Sequence, residues 1–140
     1  FNINHDAEEP FGYRFDFGGN VFSIATDFGA ATDYILKSLE GSDTVIIESN
    51  YEDDILKKNK KYPAYLKRRI LSKNGHLSNK DAFFMLGEMK KSGLKKCFLA
   101  HVSENNNDYG LLQKYADACA ECHHVEAAVL RQKRSAVFDI

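Results

Sequence analysis

The sequence predicts a layered α/β domain, and three observations carry the prediction. Short apolar runs such as Thr44-Val45-Ile46-Ile47 and Cys97-Phe98-Leu99-Ala100 have the length of buried strands. Stretches with apolar residues at helical spacing alternate with those runs. A hairpin pattern precedes the whole series. Strands that alternate with helices after a leading hairpin build a mixed sheet with flanking helices.

Each element has its own local signal. Residues 11–17, `FGYRFDF`, alternate large apolar and polar side chains; Gly18-Gly19-Asn20 supplies a turn, and `NVFSIATD` runs back. Ile35, Leu36 and Leu39 mark a helix that stops at Gly41. After the `TVIIES` strand come two helical pieces, one over residues 53–58 and one beginning near Pro63, since proline suits a first helical turn. Ser78 reads as an N-cap with Asp81 as its capping-box acid, opening a helix that ends near Gly93. `KKCFLAH` is a further strand, Leu111 to about Cys122 a further helix, and `EAAVLRQ` and `SAVFDI` read as terminal strands. No internal repeat, low-complexity segment or linker is visible.

At 140 residues the chain is one domain's worth, long enough to bury a core without staples. Its 44% hydrophobic and 28% charged residues fit an ordinary globular protein. A net charge of −1 excludes a strongly basic overall surface but not a local patch. No apolar run approaches the roughly 20 residues that span a bilayer, so no membrane partner is expected. No secretory leader is visible, which makes the cytoplasm the expected location. Three cysteines, an odd number, do not suggest a disulfide framework. The chain opens on Phe1, and residues 1–4 read as a strand in mid-course, as if this were a piece of a longer protein.

Three sites share one grammar, in which an apolar run ends and a metal-capable side chain comes next. Residues 1–4 lead to His5-Asp6, residues 21–25 to Thr26-Asp27, and residues 97–100 to His101. Functional groups collect at the carboxyl ends of strands in α/β sheets, and two imidazoles with a carboxylate suit Zn²⁺, Mn²⁺ or Fe²⁺. A single histidine at a strand end is more often a hydrogen-bonded structural residue, so only the trio carries weight. His76, between Gly75 and the Ser78 cap, stands where a helix begins and its N–H groups attract phosphate; it is equally readable as the residue before a cap. Glu48, after `VII`, is either a carboxylate that orients a histidine or a polar strand terminus. Asp6 is a second candidate for orienting a histidine. Lys67, Arg68 and Arg69 are a solvated face or a grip on a phosphate backbone. Asn105, Asn106 and Asn107 are loop punctuation or hydrogen-bond donors to a substrate. `CAECH`, residues 119–123, matches a haem-attachment pattern, but it lies within an apparent helix and reads as accidental spacing.

Taken together, `HDAEEPFGYRF`, `ATDFG`, `VIIESNYEDDIL`, `YPAYLKRRILSKNGHLSN` and `FLAHVSENNN` resemble the metallo-β-lactamase-fold hydrolases of the YycJ/WalJ exonuclease type, nearly throughout and in order. The resemblance implies an αββα sandwich, two divalent metal ions (Zn or Mn) and 5′-to-3′ exonuclease or related phosphodiesterase activity on nucleic acid. It implies His5, Asp27 and His101 as metal ligands, with Asp27 bridging both ions, and Asp27 and His76 as catalytic groups. Lys67, Arg68, Arg69, Ser78, Asn105 and Asn106 would then meet substrate, and Glu48 and Asp6 would support the ligands. The fold's His-x-His-x-Asp-His motif is missing: the only histidines are His5, His76, His101, His123 and His124. Residues 1–140 are therefore expected to form the carboxyl-terminal half of the sandwich. Such a half should be nearly inactive alone and should meet a complementary amino-terminal half or self-associate. The alternatives are a metal-free interaction module or inactive fragment derived from such a hydrolase, or a hydrolase of thioesters or lactones.

Overall fold

A parallel sheet needs crossovers, and this sequence supplies a helical segment for each one. The computed structural model describes residues 1–132, 134 and 137. Its elements are β1 (Tyr13–Phe17), β2 (Asn20–Ala25), α1 (Asp33–Leu39), β3 (Thr44–Glu48), α2 (Asp53–Lys58), α3 (Ala64–Ile70), α4 (Asn79–Lys90), β4 (Lys96–Ala100), α5 (Tyr109–Ala118), a π-helical turn (Cys119–His123) and β5 (Glu126–Val129). The sheet runs β1-β2-β3-β4-β5, with β1 antiparallel to β2 and every other pairing parallel. Gly18 and Gly19 take φ of 67° and 97° in the hairpin turn, a conformation that side chains resist. Among the described residues, no helix is long and apolar enough to cross a membrane.

Register sorts the strands into two unlike faces. Ala25, Val45, Ile47, Cys97 and Leu99 point one way and join Ile35, Leu39, Leu86 and Leu112 in the main core. The opposite face of the hairpin carries Tyr13, Phe15, Phe17 and Phe22, stacked ring on ring at about 6 Å. Tyr13, Phe15 and Phe17 stay 55%, 40% and 56% exposed. Thr32, Ser78 and Asp108 cap α1, α4 and α5 through their side chains, each worth about 1 kcal/mol. No side chain caps α2 or α3. These two short helices close instead on a separate small core of Tyr51, Leu56 and Ile70, flanked by Tyr62 and Leu66.

Several boundaries depart from expectation. Residues 1–4 form no strand; only Asn2 bridges Phe11. The last long helix begins at Tyr109, because Asp108 takes the Leu111 N–H at 2.8 Å, and it widens to π geometry at Cys119. That turn ends at His124, whose φ is 53°. α4 stops at Lys90, and looser turns carry the chain on to Gly93 at φ 104°. The strand expected over residues 135–140 lies, Val137 apart, outside the described residues. In `CAECH`, Cys119 is buried and Cys122 exposed, and the His123 ring rests on Phe83 at 4.4 Å.

Candidate metal centre

Three neighbouring parallel strands end on one edge of the sheet, and each delivers an acid or an imidazole there. Asp27 lies two residues beyond β2, Glu48 is the last residue of β3, and His101 comes directly after β4. The pairings Ala25↔Ile47 and Glu48↔Ala100 bring these ends level. His76 arrives from the turn after α3. The segment behind it runs beside the extension of β3, where Asn50 N–H donates to Leu77 O and Asn79 N–H to Tyr51 O, each at 2.9 Å. His5 comes from the amino-terminal loop, which the Ile3 N–H closes onto Pro10 O at 3.1 Å.

Two glycines let these segments meet. A Cβ on Gly29 would lie 2.0 Å from Ser72 O and 2.8 Å from Gly75 N; one on Gly75 would lie 2.2 Å from Ile70 O. The loop behind Asp27 and the turn before His76 thus touch backbone to backbone, which no other residue permits.

Glu48 organises the centre. Fully buried, its Oε1 accepts from His76 Nδ1 at 2.8 Å and His101 Nδ1 at 2.7 Å, while Oε2 accepts from the Phe28 N–H at 3.0 Å. Burial alone would push the Glu48 carboxyl up, but the bonds from His101 and His76 outweigh it and hold the group below its ordinary value. The same bond to Glu48 raises the His101 imidazole against the opposing effect of burial, and the charges of Glu48 and Asp27 add to it. A proton held on Nδ1 by a carboxylate leaves Nε2 free to bind a metal or carry a second proton. Asp27 Oδ1 stands 3.8 Å from His5 Nε2, 3.7 Å from His76 Nδ1 and 3.5 Å from His101 Nδ1, at the centre of three imidazoles. Asp27 and His101 also take left-handed backbone, φ 61° and 54°, which costs a side-chain-bearing residue about 1 kcal/mol or more. The Asn50 amide helps hold His101 there by donating to its carbonyl at 2.7 Å.

This constellation suits a divalent cation. Asp27, Glu48, His76 and His101 offer ligand atoms within 4.8 Å of one another. The Nδ1 of His5 is buried without a hydrogen-bond partner among the described residues. A mixed imidazole and carboxylate set is what zinc and manganese accept.

The structure thus brings His5 and His101 each within 4 Å of Asp27, though His5 stands outside the tighter group of four donors. It adds His76, whose Nδ1 meets Glu48 rather than an open helix end, and it gives Glu48 two histidines rather than one. Asp6 lies 3.5 Å from His5 Nε2 and is paired with Arg69, which holds its carboxyl below the ordinary range. Most of the other predicted residues are engaged within the chain. Ser78 is 3% exposed, and its hydroxyl accepts from the Asp81 N–H and donates to the Asp81 carboxylate at the start of α4. Asn106 is 1% exposed and its side chain is bonded to Asn59 and Ser103. Lys67 donates to Lys57 O at 2.7 Å and Arg69 is bound to Asp6, so both cations are engaged within the chain. Arg68 is exposed on α3, and Asn105 lines the open cleft in front of the imidazoles. Asn50 escaped sequence reading, and Asn107 has a role other than the two expected of it. Asn107 donates to Ser49 O and Asn50 O at 3.0 and 2.9 Å, locking the loop after His101 to β3, and no local pattern announces that role.

The mixed sheet flanked by helices, with histidines and acids gathered at its strand ends, is architecture this chain shares with part of a metallo-β-lactamase fold. The metallo-β-lactamase fold protein YhfI from Bacillus subtilis superposes with a TM-score of 0.66 at 17% identity, covering 94% of this chain and 45% of that one. In sequence, the chain is 35% identical over 107 residues to Exodeoxyribonuclease YycJ of Bacillus anthracis, covering 76% of this chain and 40% of that protein. It is 37% identical over 107 residues to Exodeoxyribonuclease WalJ of Streptococcus pneumoniae, covering 76% and 39%. The chain spans about two fifths of the length of these curated relatives. No family model matches it.

Proposed function

We propose that this chain is the carboxyl-terminal half of a dinuclear, metal-dependent phosphodiesterase, a cytoplasmic 5′-to-3′ exonuclease acting on nucleic acid. The single observation that supports the reading is the set of four donors within 4.8 Å, Asp27, Glu48, His76 and His101, one of them a fully buried carboxylate. The relatives named as exodeoxyribonucleases support nucleic acid as the substrate.

Asp27, His5 and His101 would hold Zn²⁺ or Mn²⁺, with further ligands from the portion of the protein beyond this chain. Bound divalent ions supply an acidified water and neutralise charge at phosphorus. The chain's own groups do the rest. Glu48 fixes the orientation and the Nδ1 proton of both His76 and His101. His76, held but not required as a ligand, offers Nε2 to a phosphate oxygen or the leaving oxygen. Asn50, bonded to His101 O, keeps the end of β4 in place. The exposed Tyr13, Phe15 and Phe17 face accepts the complementary half.

The test compares this chain with a longer protein of its relatives' length. After equilibration with Mn²⁺ or Zn²⁺ and dialysis, the longer protein should retain metal stoichiometrically and degrade 5′-phosphorylated DNA while sparing generic esters. This chain alone should bind metal weakly, and Asp27→Asn should abolish retention in both. Absence of bound metal from both proteins overturns the reading, and esterase activity without nuclease activity redirects it.

A further inference from the structure

The most uneven charge in the molecule lies beside the metal centre. Residues 55–80 contain nine of the chain's 19 Lys and Arg and none of its 20 Asp and Glu. They run from inside α2, just past its opening Asp53 and Asp54, through α3 and the turn that leads to His76, to the start of α4. A cleft of about 520 Å³ opens in front of His5, Asp27, His76 and His101, with Tyr62, Leu66 and Ile70 on one wall and residues 103–106 on the other. At Asn105 it adjoins a second hollow of about 350 Å³, lined by Ile55, Lys58, Asn59 and Lys61. Lys58 and Lys61 are exposed. A trough therefore runs from the imidazoles, past the Tyr62 ring and an apolar wall, to a pair of cations.

We infer that this trough is a rail for a single strand of nucleic acid, in which Lys58 and Lys61 take backbone phosphates and Tyr62 stacks a base. The inference deepens the phosphodiesterase reading and rests on it for the identity of the polymer. Single-strand sites combine a positively charged groove that tracks the backbone with aromatic side chains beneath the bases. The trough offers both, in order, leading away from the place where a phosphodiester would be cut. A duplex presents its phosphates outward and its bases inward, so it cannot use the Tyr62 wall. Lys67 and Arg69, engaged with Lys57 O and Asp6, shape the lobe rather than grip the strand.

The test is equilibrium binding of fluorescent oligo(dT) to this chain in EDTA across a salt series, which needs neither metal nor turnover. Replacing both cations, Lys58→Ala with Lys61→Ala, should flatten the slope of log K against log salt by about 1.4, at roughly 0.7 per phosphate on a single strand. The exposed pair Lys37→Ala with Lys114→Ala, on α1 and α5, should leave the slope unchanged. Tyr62→Ala should weaken binding about tenfold, and Tyr62→Phe, which keeps the ring and its packing, should restore it. Duplex of equal length should bind more weakly than the single strand and should not respond to Tyr62→Ala. Unchanged slope in the Lys58 and Lys61 variant, or duplex preferred over single strand, overturns the rail. The two readings fail separately: a rail that binds oligo(dT) in a longer protein that never cuts it removes only the phosphodiesterase. Metal-dependent cutting with an unaltered salt slope removes only the rail.

Discussion

The helix-covered sheet and the α2–α3 lobe are held by different means. The sheet layer has one continuous core, and α1, α4 and α5, which cover it, each begin at a capping side chain. The lobe has two helices of six and seven residues, no side-chain caps and a core of three buried residues. Helices that short are marginal unless tertiary packing holds them. The lobe is also strongly basic, with Asp53 and Asp54 at the start of α2 and Asp6 beside Arg69 as the acids that meet it. The difference teaches where rigidity is placed. Strand ends fix the acids and imidazoles of the candidate metal centre, while the softer lobe forms one wall of the cleft in front of them. His76 stands at the border, linked to the rigid part through Glu48 and to the soft part through the turn after α3.

Paired core truncations give the largest test of this contrast. Leu86→Ala in the main core and Leu56→Ala in the lobe each remove a fully buried side chain, a loss of about 2–5 kcal/mol. Leu86→Ala should lower the global unfolding free energy measured in urea by that amount. Leu56→Ala should mainly abolish hydrogen-exchange protection in residues 53–70 and spare β3 and β4. Equal global losses would show one cooperative unit and erase the distinction. Next comes the border itself. Gly75→Ala forces a Cβ against the Ile70 carbonyl, and about 3 kcal/mol of destabilisation is expected, with lobe protection lost first.

Glu48→Gln sharpens the comparison from the rigid side. It removes the charge that orients both imidazoles, so metal affinity measured by competition with a chelator should fall roughly 10- to 100-fold, while the lobe's exchange protection persists. The smallest effect is on pH. The Glu48 carboxyl is depressed, so its contribution to metal-free stability is present above its ordinary 4.5 and lost as pH falls through the depressed value. The His101 imidazole is raised, so its contribution is present in full below its ordinary 6.5 and lost as pH rises through the raised value. Thermal midpoints in EDTA should therefore peak between pH 4.5 and 6.5. With Zn²⁺ or Mn²⁺ added, stabilisation should instead grow toward higher pH, because a ligand imidazole must be unprotonated. A metal-free midpoint that climbs steadily through the raised His101 value would contradict the Glu48–His101 coupling.

Much of the sheet was legible because strand and helix periods are local properties. The gathering of Asp27, Glu48 and His101 was legible for a related reason: parallel strands of similar length end on one edge, so the residues just past their ends meet. His76 was harder to place. Its position depends on the Gly29–Gly75 approach, a contact between segments far apart in the chain with no side chain to announce it. The asparagines misled in the opposite sense. Asn106 and Asn107 look like groups offered to a substrate, yet they are anchored inward by Asn59, Ser49 and Asn50. Arg69 likewise reads as a free cation until Asp6, at the far end of the sequence, is brought beside it. The lobe's own core was hidden because Tyr51, Leu56, Tyr62 and Ile70 are scattered among lysines with no clean period.

One oxygen of Glu48 receives both imidazoles, and this has a consequence for how the two histidines behave as a pair. Neither ring can turn, swap tautomer or gain a proton without changing what the shared acceptor offers the other. Double replacement of His76 and His101 should therefore be milder than the sum of the single replacements, because the first loss already leaves the second ring differently held. Two residues well separated in the chain would then act as one genetic unit, with Glu48 as the hinge of their epistasis.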